Sequence, residues 1–206
     1  MEELDLLKKD WKKNENTFSQ ISEDDIYKML HKGSSSIVKW ILVISIVEVL
    51  LWTLISVIYN ADEYFVEIHS EYLIDYFKYL TIFNYGVIAV FIYLFYKNYA
   101  AISTTTSTKK LMSDILKTRK TVQYYVWYNL AMIAVSMIIG FVLAFNINPE
   151  INKLLTNQKV YIFSIVLCVF ALAFFLVVFW LFYRLIYGIL LRRLLNNYKE
   201  LKKIDL

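Results

Sequence analysis

Four apolar stretches decide what this chain can fold into. They cover residues 37–59, 77–99, 124–145 and 160–183. Each is long enough to cross a bilayer as a helix, which takes about 20 mostly apolar residues. In lipid every backbone N–H and C=O must be satisfied internally, so spanning segments are helices or closed barrels. With only 4 Gly and 1 Pro, the chain lacks the turn residues that an all-β fold needs. Packing all four helices inside a soluble core would require a polar shell that 206 residues cannot supply. Hydrophobic residues make up 59% of the chain, above the roughly 45–50% of soluble domains. The expected fold class is therefore an all-α membrane protein with four transmembrane helices and short amphipathic cytoplasmic helices. Residues 1–36 would form a cytoplasmic arm, 37–183 the transmembrane domain and 184–206 a helical tail.

Lys and Arg set the orientation, because cytoplasmic flanks carry the excess. The loop between spans two and three holds Lys109, Lys110, Lys117, Arg119 and Lys120. The tail holds Arg184, Arg192, Arg193, Lys199, Lys202 and Lys203, and Lys28, Lys32 and Lys39 lie next to the first span. The opposite side has Lys78, Lys153 and Lys159. Both termini and the middle loop are thus expected inside, in a multi-pass protein of the cell inner membrane. Trp40, Trp127, Trp180, Tyr96, Tyr99, Tyr124, Tyr125 and Tyr183 would form the inner aromatic belt. Tyr59, Tyr76, Tyr79 and Tyr161 would form the outer one.

The arm carries two apolar stripes, Leu4, Leu7 and Trp11, then Ile26, Met29 and Leu30. Ser22 and Asp25 are spaced like a capping box that starts a second helix, with Gly33 to Ser36 as its link to the first span. In the middle loop the hydroxyl run Ser103 to Thr108 can cap a helix whose apolar side is Leu111, Met112, Ile115 and Leu116. After the fourth span the helix is expected to run on, with a stripe of Leu190, Leu194, Tyr198 and Leu201. Such short helices rest their apolar sides on lipid, on each other, on a second copy or on a cytosolic partner. Their basic residues suit anionic headgroups, at about 1 kcal/mol each near the surface.

On the other side Glu63, Glu67, Glu71 and Asp75 recur every four residues. They read as a solvated face, since hard-cation sites normally gather ligands from a closed loop. One cysteine, Cys168, leaves no internal disulfide and no thiolate zinc cluster. Two histidines, His31 and His69, are too few for a four-histidine iron site. No metal and no cofactor are expected.

Glu48 is the residue that a lipid-facing helix does not need. It lies at the middle of the first span, roughly 16 Å from either end. An ionised carboxylate in lipid costs about 2.5–3.5 kcal/mol on insertion scales, so it should be protonated or face the bundle interior. Ser45, Trp52 and Ser56 share its helical face. Asn84, Tyr85, Ser136, Ser164 and Cys168 are the polar groups expected at similar depth, while Arg184 is too far along its helix. Ser136 and Gly140 form a small-xxx-small pair suited to close helix packing.

Glu48 followed by Val49 in the first of four spans resembles small multidrug transporters, but the charged arm and large outer loop depart from them. A closer likeness is carried by Leu6-Leu7-Lys8-Lys9-Asp10-Trp11, Ile26-Tyr27-Lys28-Met29 and Ser34-Ser35-Ser36-Ile37-Val38-Lys39-Trp40. These strings resemble a group of uncharacterised four-span inner-membrane proteins of Bacteroidota. The resemblance implies an inner-membrane location and no assigned activity.

No phosphate loop, nucleophile elbow or paired metal motif is present in the sequence, so a non-enzymatic protein is expected. The basic segments flank membrane helices, which argues against nucleic-acid binding. The preferred reading is a scaffold or regulatory protein that docks a partner through its cytoplasmic helices. The alternative is a small proton- or cation-coupled transporter or channel built on Glu48.

Overall fold

The computed structural model describes residues 22–59, 66, 72–147 and 156–204. The stripe of Leu4, Leu7 and Trp11 and the acidic residues Glu63, Glu67 and Glu71 lie outside them. Four helices follow one another: α1 (Glu23–Ile58), α2 (Tyr72–Thr104), α3 (Thr108–Ile147) and α4 (Gln158–Ile204). All four are long and apolar enough to cross a membrane, as in a multi-pass membrane protein.

Ser22 caps α1: its hydroxyl oxygen accepts the Asp25 N–H at 3.1 Å and donates to the Asp25 carboxylate at 2.6 Å. The separate short helices expected outside the bilayer are not separate. Gly33 to Ser36 lies inside α1 and the loop helix is the first part of α3, while the tail continues the fourth apolar stretch as expected. The reason is tertiary packing, which overrides a local helix penalty of about 0.5–1 kcal/mol for Gly or Ser. Ser34 is fully buried and accepts a hydrogen bond from the Asn197 side chain at 3.0 Å. A Cβ on Gly33 would come within 3.3 Å of that same amide nitrogen, so glycine permits the close approach of α1 and α4.

Helix α1 packs beside α2 and α4, and α3 packs beside the same two, giving an up-and-down bundle. The start of α1, the α2–α3 turn and the end of α4 meet at one end, called here the terminal end. The interior positions alternate in spacing between four and three. They are Ser34, Val38, Ile41, Ser45 and Glu48 on α1, and Phe91, Phe95, Asn98 and Ile102 on α2. On α3 they are Leu111, Ile115, Thr118, Val122 and Tyr125. On α4 the same rhythm joins Tyr183, Tyr187, Leu190, Leu194, Asn197 and Leu201. This is the heptad seam of a left-handed four-helix bundle.

Helix α4 has 47 residues, so it is about 70 Å long, and α3 with 40 is about 60 Å. A hydrocarbon layer of roughly 30 Å leaves a helical extension at the terminal end. That extension has its own core of Val38, Ile102, Leu111, Ile115, Leu194 and Leu201, against which Tyr27, Leu30, Met112 and Tyr198 pack. The Tyr27 hydroxyl donates to the Thr105 carbonyl at 3.2 Å, and burial raises its pKa.

Trp40, Trp127, Trp180, Tyr96 and Tyr124 are exposed toward the terminal end of the apolar stretches, and Tyr59, Tyr76, Tyr79 and Tyr161 toward the other end. Arg184 sits over the Trp180 ring, 4.9 Å from its centroid. Two belt assignments are corrected: Tyr125 and Tyr183 are buried in the bundle. The small-residue pair is corrected too: a Cβ on Gly140 would meet nothing within 4 Å, so among the described residues no helix packs closely there.

Candidate functional site

Glu48 projects into the bundle, and three phenols from two other helices close on its carboxylate. Tyr125 of α3 donates to Oε2 at 2.9 Å, and Tyr187 of α4 donates to the same oxygen at 3.1 Å. Tyr183 of α4 donates to Oε1. Tyr183 and Tyr187 are four residues apart, so they share a helix face, and their rings stack with centroids 6.0 Å apart. Tyr125 meets Tyr187 edge-on at 5.9 Å. Phe91 and Phe95 press edge-on against Tyr125 at 5.5 and 5.4 Å. Ile41 and Val122 belong to the same buried cluster.

The direction of the side chains explains the meeting. Every Cα–Cβ bond in a helix tilts toward that helix's N-terminus. Helices α1 and α4 are antiparallel, so Glu48 leans toward the terminal end while Tyr183 and Tyr187 lean toward mid-membrane.

Beyond this cluster, away from the terminal end, all four helices surround a cavity of about 490 Å³. Glu48, Tyr125 and Tyr183 are on its wall, with Trp52, Tyr85 and Phe179 as further aromatic surface. Asn84, Asn129, Thr81 and Ser136 supply its other polar groups. Among the described residues no Lys, Arg, His, Asp or further Glu is on the wall, so the Glu48 carboxylate is the one acid there. The volume falls in the roughly 300–1,000 Å³ range of small-molecule sites.

The sequence-derived set divides. Trp52, Asn84, Tyr85 and Ser136 share the cavity with Glu48. Ser45 is buried one turn away and donates to the Leu42 carbonyl at 2.8 Å. Ser56 is exposed and lines no part of the cavity. The expected partners of Glu48 bond elsewhere: Asn84 accepts the Tyr128 hydroxyl at 2.9 Å, and Tyr85 pairs with Thr53 at 3.0 Å. Ser164 and Cys168 are half-buried and do not line the cavity. Tyr187 was legible only as the i+4 neighbour of Tyr183 on a stripe that continues to Leu194 and Leu201. Of the cytoplasmic set, Leu30 packs into the extension core, Ile26 is half-buried and Met29 is exposed.

Chemically, the arrangement holds an acid at the bottom of a largely apolar, aromatic space. A proton or an organic cation can neutralise that acid, and the two compete for it. The phenols keep the carboxylate in place with both oxygens satisfied. Tyr183→Phe keeps the ring and removes one donor. It is expected to lower stability by about 1–3 kcal/mol, the usual effect of unmaking such a bond, read by unfolding in mixed micelles. A stability equal to wild type would show that the bond contributes nothing.

No curated protein and no solved structure matches the chain. A family described as "Domain of unknown function (DUF8845)" matches residues 24–206, which takes in α1 to α4 nearly whole and therefore both the cavity and the extension. The chain belongs to this family of unknown function.

Proposed function

We propose that this protein is a small carrier for amphiphilic organic cations in the cell inner membrane, with both termini cytoplasmic. It exchanges its cargo for protons at Glu48. The observation that carries the reading is the cavity of about 490 Å³ with the Glu48 carboxylate on its wall and no basic residue among the described residues beside it. An isolated ionisable residue inside a membrane bundle is a functional candidate by default. Aromatic faces such as Trp52 and Tyr85 attract organic cations, including quaternary ammonium groups. The apolar remainder of the wall suits the body of such a molecule.

The docking reading has a narrower base than the sequence gives it. Leu30, Leu111, Ile115, Leu194 and Leu201 pack on one another, so their apolar surface is not offered to a partner. Met29 keeps an exposed side chain, and the stripe of Leu4, Leu7 and Trp11 lies outside the described residues.

The test is uptake of a fluorescent quaternary ammonium dye by proteoliposomes. A permanent cation does not follow a pH gradient through bare lipid. An outward proton gradient across the vesicles is expected to change uptake only where the protein is present. Uptake equal to that of protein-free vesicles would overturn the carrier reading.

A further inference from the structure

A second cavity, of about 400 Å³ and open to the outside, lies along the first half of α1. It is lined by His31, Lys32, Ser35, Ser36 and Lys39 of α1 and by Tyr99 of α2. Positions 32, 35, 36 and 39 recur at helical spacing and make one stripe. Among the described residues the lining holds two ammonium groups, an imidazole and three hydroxyls, and no carboxylate. His31 Nε2 is buried and has no hydrogen-bond partner among the described residues. Buried polar atoms in native proteins are nearly always paired, so this nitrogen can take a partner that the described residues do not supply. The His31 ring is held in place by Tyr27, centroid to centroid 5.9 Å.

Depth narrows the chemistry. The cavity straddles residue 37, where the apolar run of α1 begins, and Trp40 is exposed just beyond it. Exposed Trp at that position marks the headgroup level of a membrane. Lysine ammonium groups and hydroxyl donors are phosphate binders.

We propose that this cavity binds a phosphate group, that of an anionic lipid headgroup or of a soluble phosphate ester. The site is independent of Glu48: no residue lines both cavities.

The experiment uses the full chain in neutral-detergent micelles and reads the thermal midpoint against added phosphatidylglycerol, phosphatidylcholine or inorganic phosphate. Phosphatidylglycerol is expected to raise the midpoint and phosphatidylcholine is not. Lys32→Gln with Lys39→Gln should weaken phosphatidylglycerol binding roughly 30-fold, as two lysines each worth about 1 kcal/mol near anionic lipid imply. Lys78→Gln with Lys159→Gln removes the same charge from exposed positions at the other end of the bundle and should leave the binding unchanged. His31→Leu replaces the orphan nitrogen with an apolar group, so it should leave the lipid-free midpoint unchanged or raised while weakening the lipid response. A response to inorganic phosphate equal to that of the lipid would assign the site to a soluble phosphate. A response to lipid alone would assign it to the headgroup. Equal losses in the two lysine pairs, or equal responses to the two lipids, would overturn the proposal.

Discussion

Glu48→Gln is expected to weaken the binding of a quaternary ammonium dye by at least about 30-fold while the protein still folds. Removing one partner of a buried charged contact typically costs about 2–5 kcal/mol of binding, and the low end corresponds to that factor. Gln keeps the length and volume of Glu, and its carbonyl can still accept a phenol proton from Tyr125, Tyr183 or Tyr187. The fold should therefore survive what the ligand does not. Equilibrium fluorescence titration of the purified protein gives the affinity, and its thermal midpoint reports the fold. A neutral dye with the same apolar body is the control, and it should bind wild type and Glu48→Gln alike. If the charged dye binds both proteins equally, the carboxylate does not hold the cation and the carrier reading falls. If Glu48→Gln unfolds, the three hydrogen bonds at Glu48 are primarily a lock between α1, α3 and α4.

The second large effect belongs to the extension. Leu194→Ala removes a fully buried side chain from the cluster of Val38, Ile102, Leu111, Ile115 and Leu201. Truncating a buried leucine typically destabilises by about 2–5 kcal/mol, the lost transfer energy plus the cavity left behind. Leu185→Ala is the matched comparison on the same helix, because Leu185 is 65% exposed. It should change stability by about 0.5 kcal/mol or less. Unfolding of both variants in mixed micelles measures the contrast. Equal values would mean that the four helices do not pack beyond the bilayer.

The spans were legible because hydropathy is a sum over some twenty positions, and no single residue can spoil it. Glu48 was legible for the opposite reason, as one acid in an apolar run. Its partners were hidden. Tyr125 and Tyr183 stand near span ends, where tyrosine is common as an anchor, and sequence position does not reveal which side of a helix faces inward. Direction along the axis decides the matter, and it depends on α1 and α4 being antiparallel neighbours, which is a tertiary fact. The extension was misread as separate short helices because Gly33 and three serines look like a linker. Only the close approach of α4, with Asn197 on Ser34, shows why that segment stays helical. The tail stripe of Leu190, Leu194, Tyr198 and Leu201 was visible, but its continuation through Tyr187 and Tyr183 crossed the span boundary and so went unnoticed.

The bond from Tyr187 to Glu48 joins residues 139 apart in the chain. Synthesis runs at roughly 5–20 residues per second, so α1 exists for about 7–28 s before Tyr187 is made. For the first 77 residues of that interval the nascent α1 carries its acid without any of the three phenols, and after that with Tyr125 alone until α4 is made. Helix α4 thus completes the surroundings of an acid made long before it. A ribosome stalled before α4 leaves a chain whose Glu48 has Tyr125 for Oε2 and no phenol for Oε1.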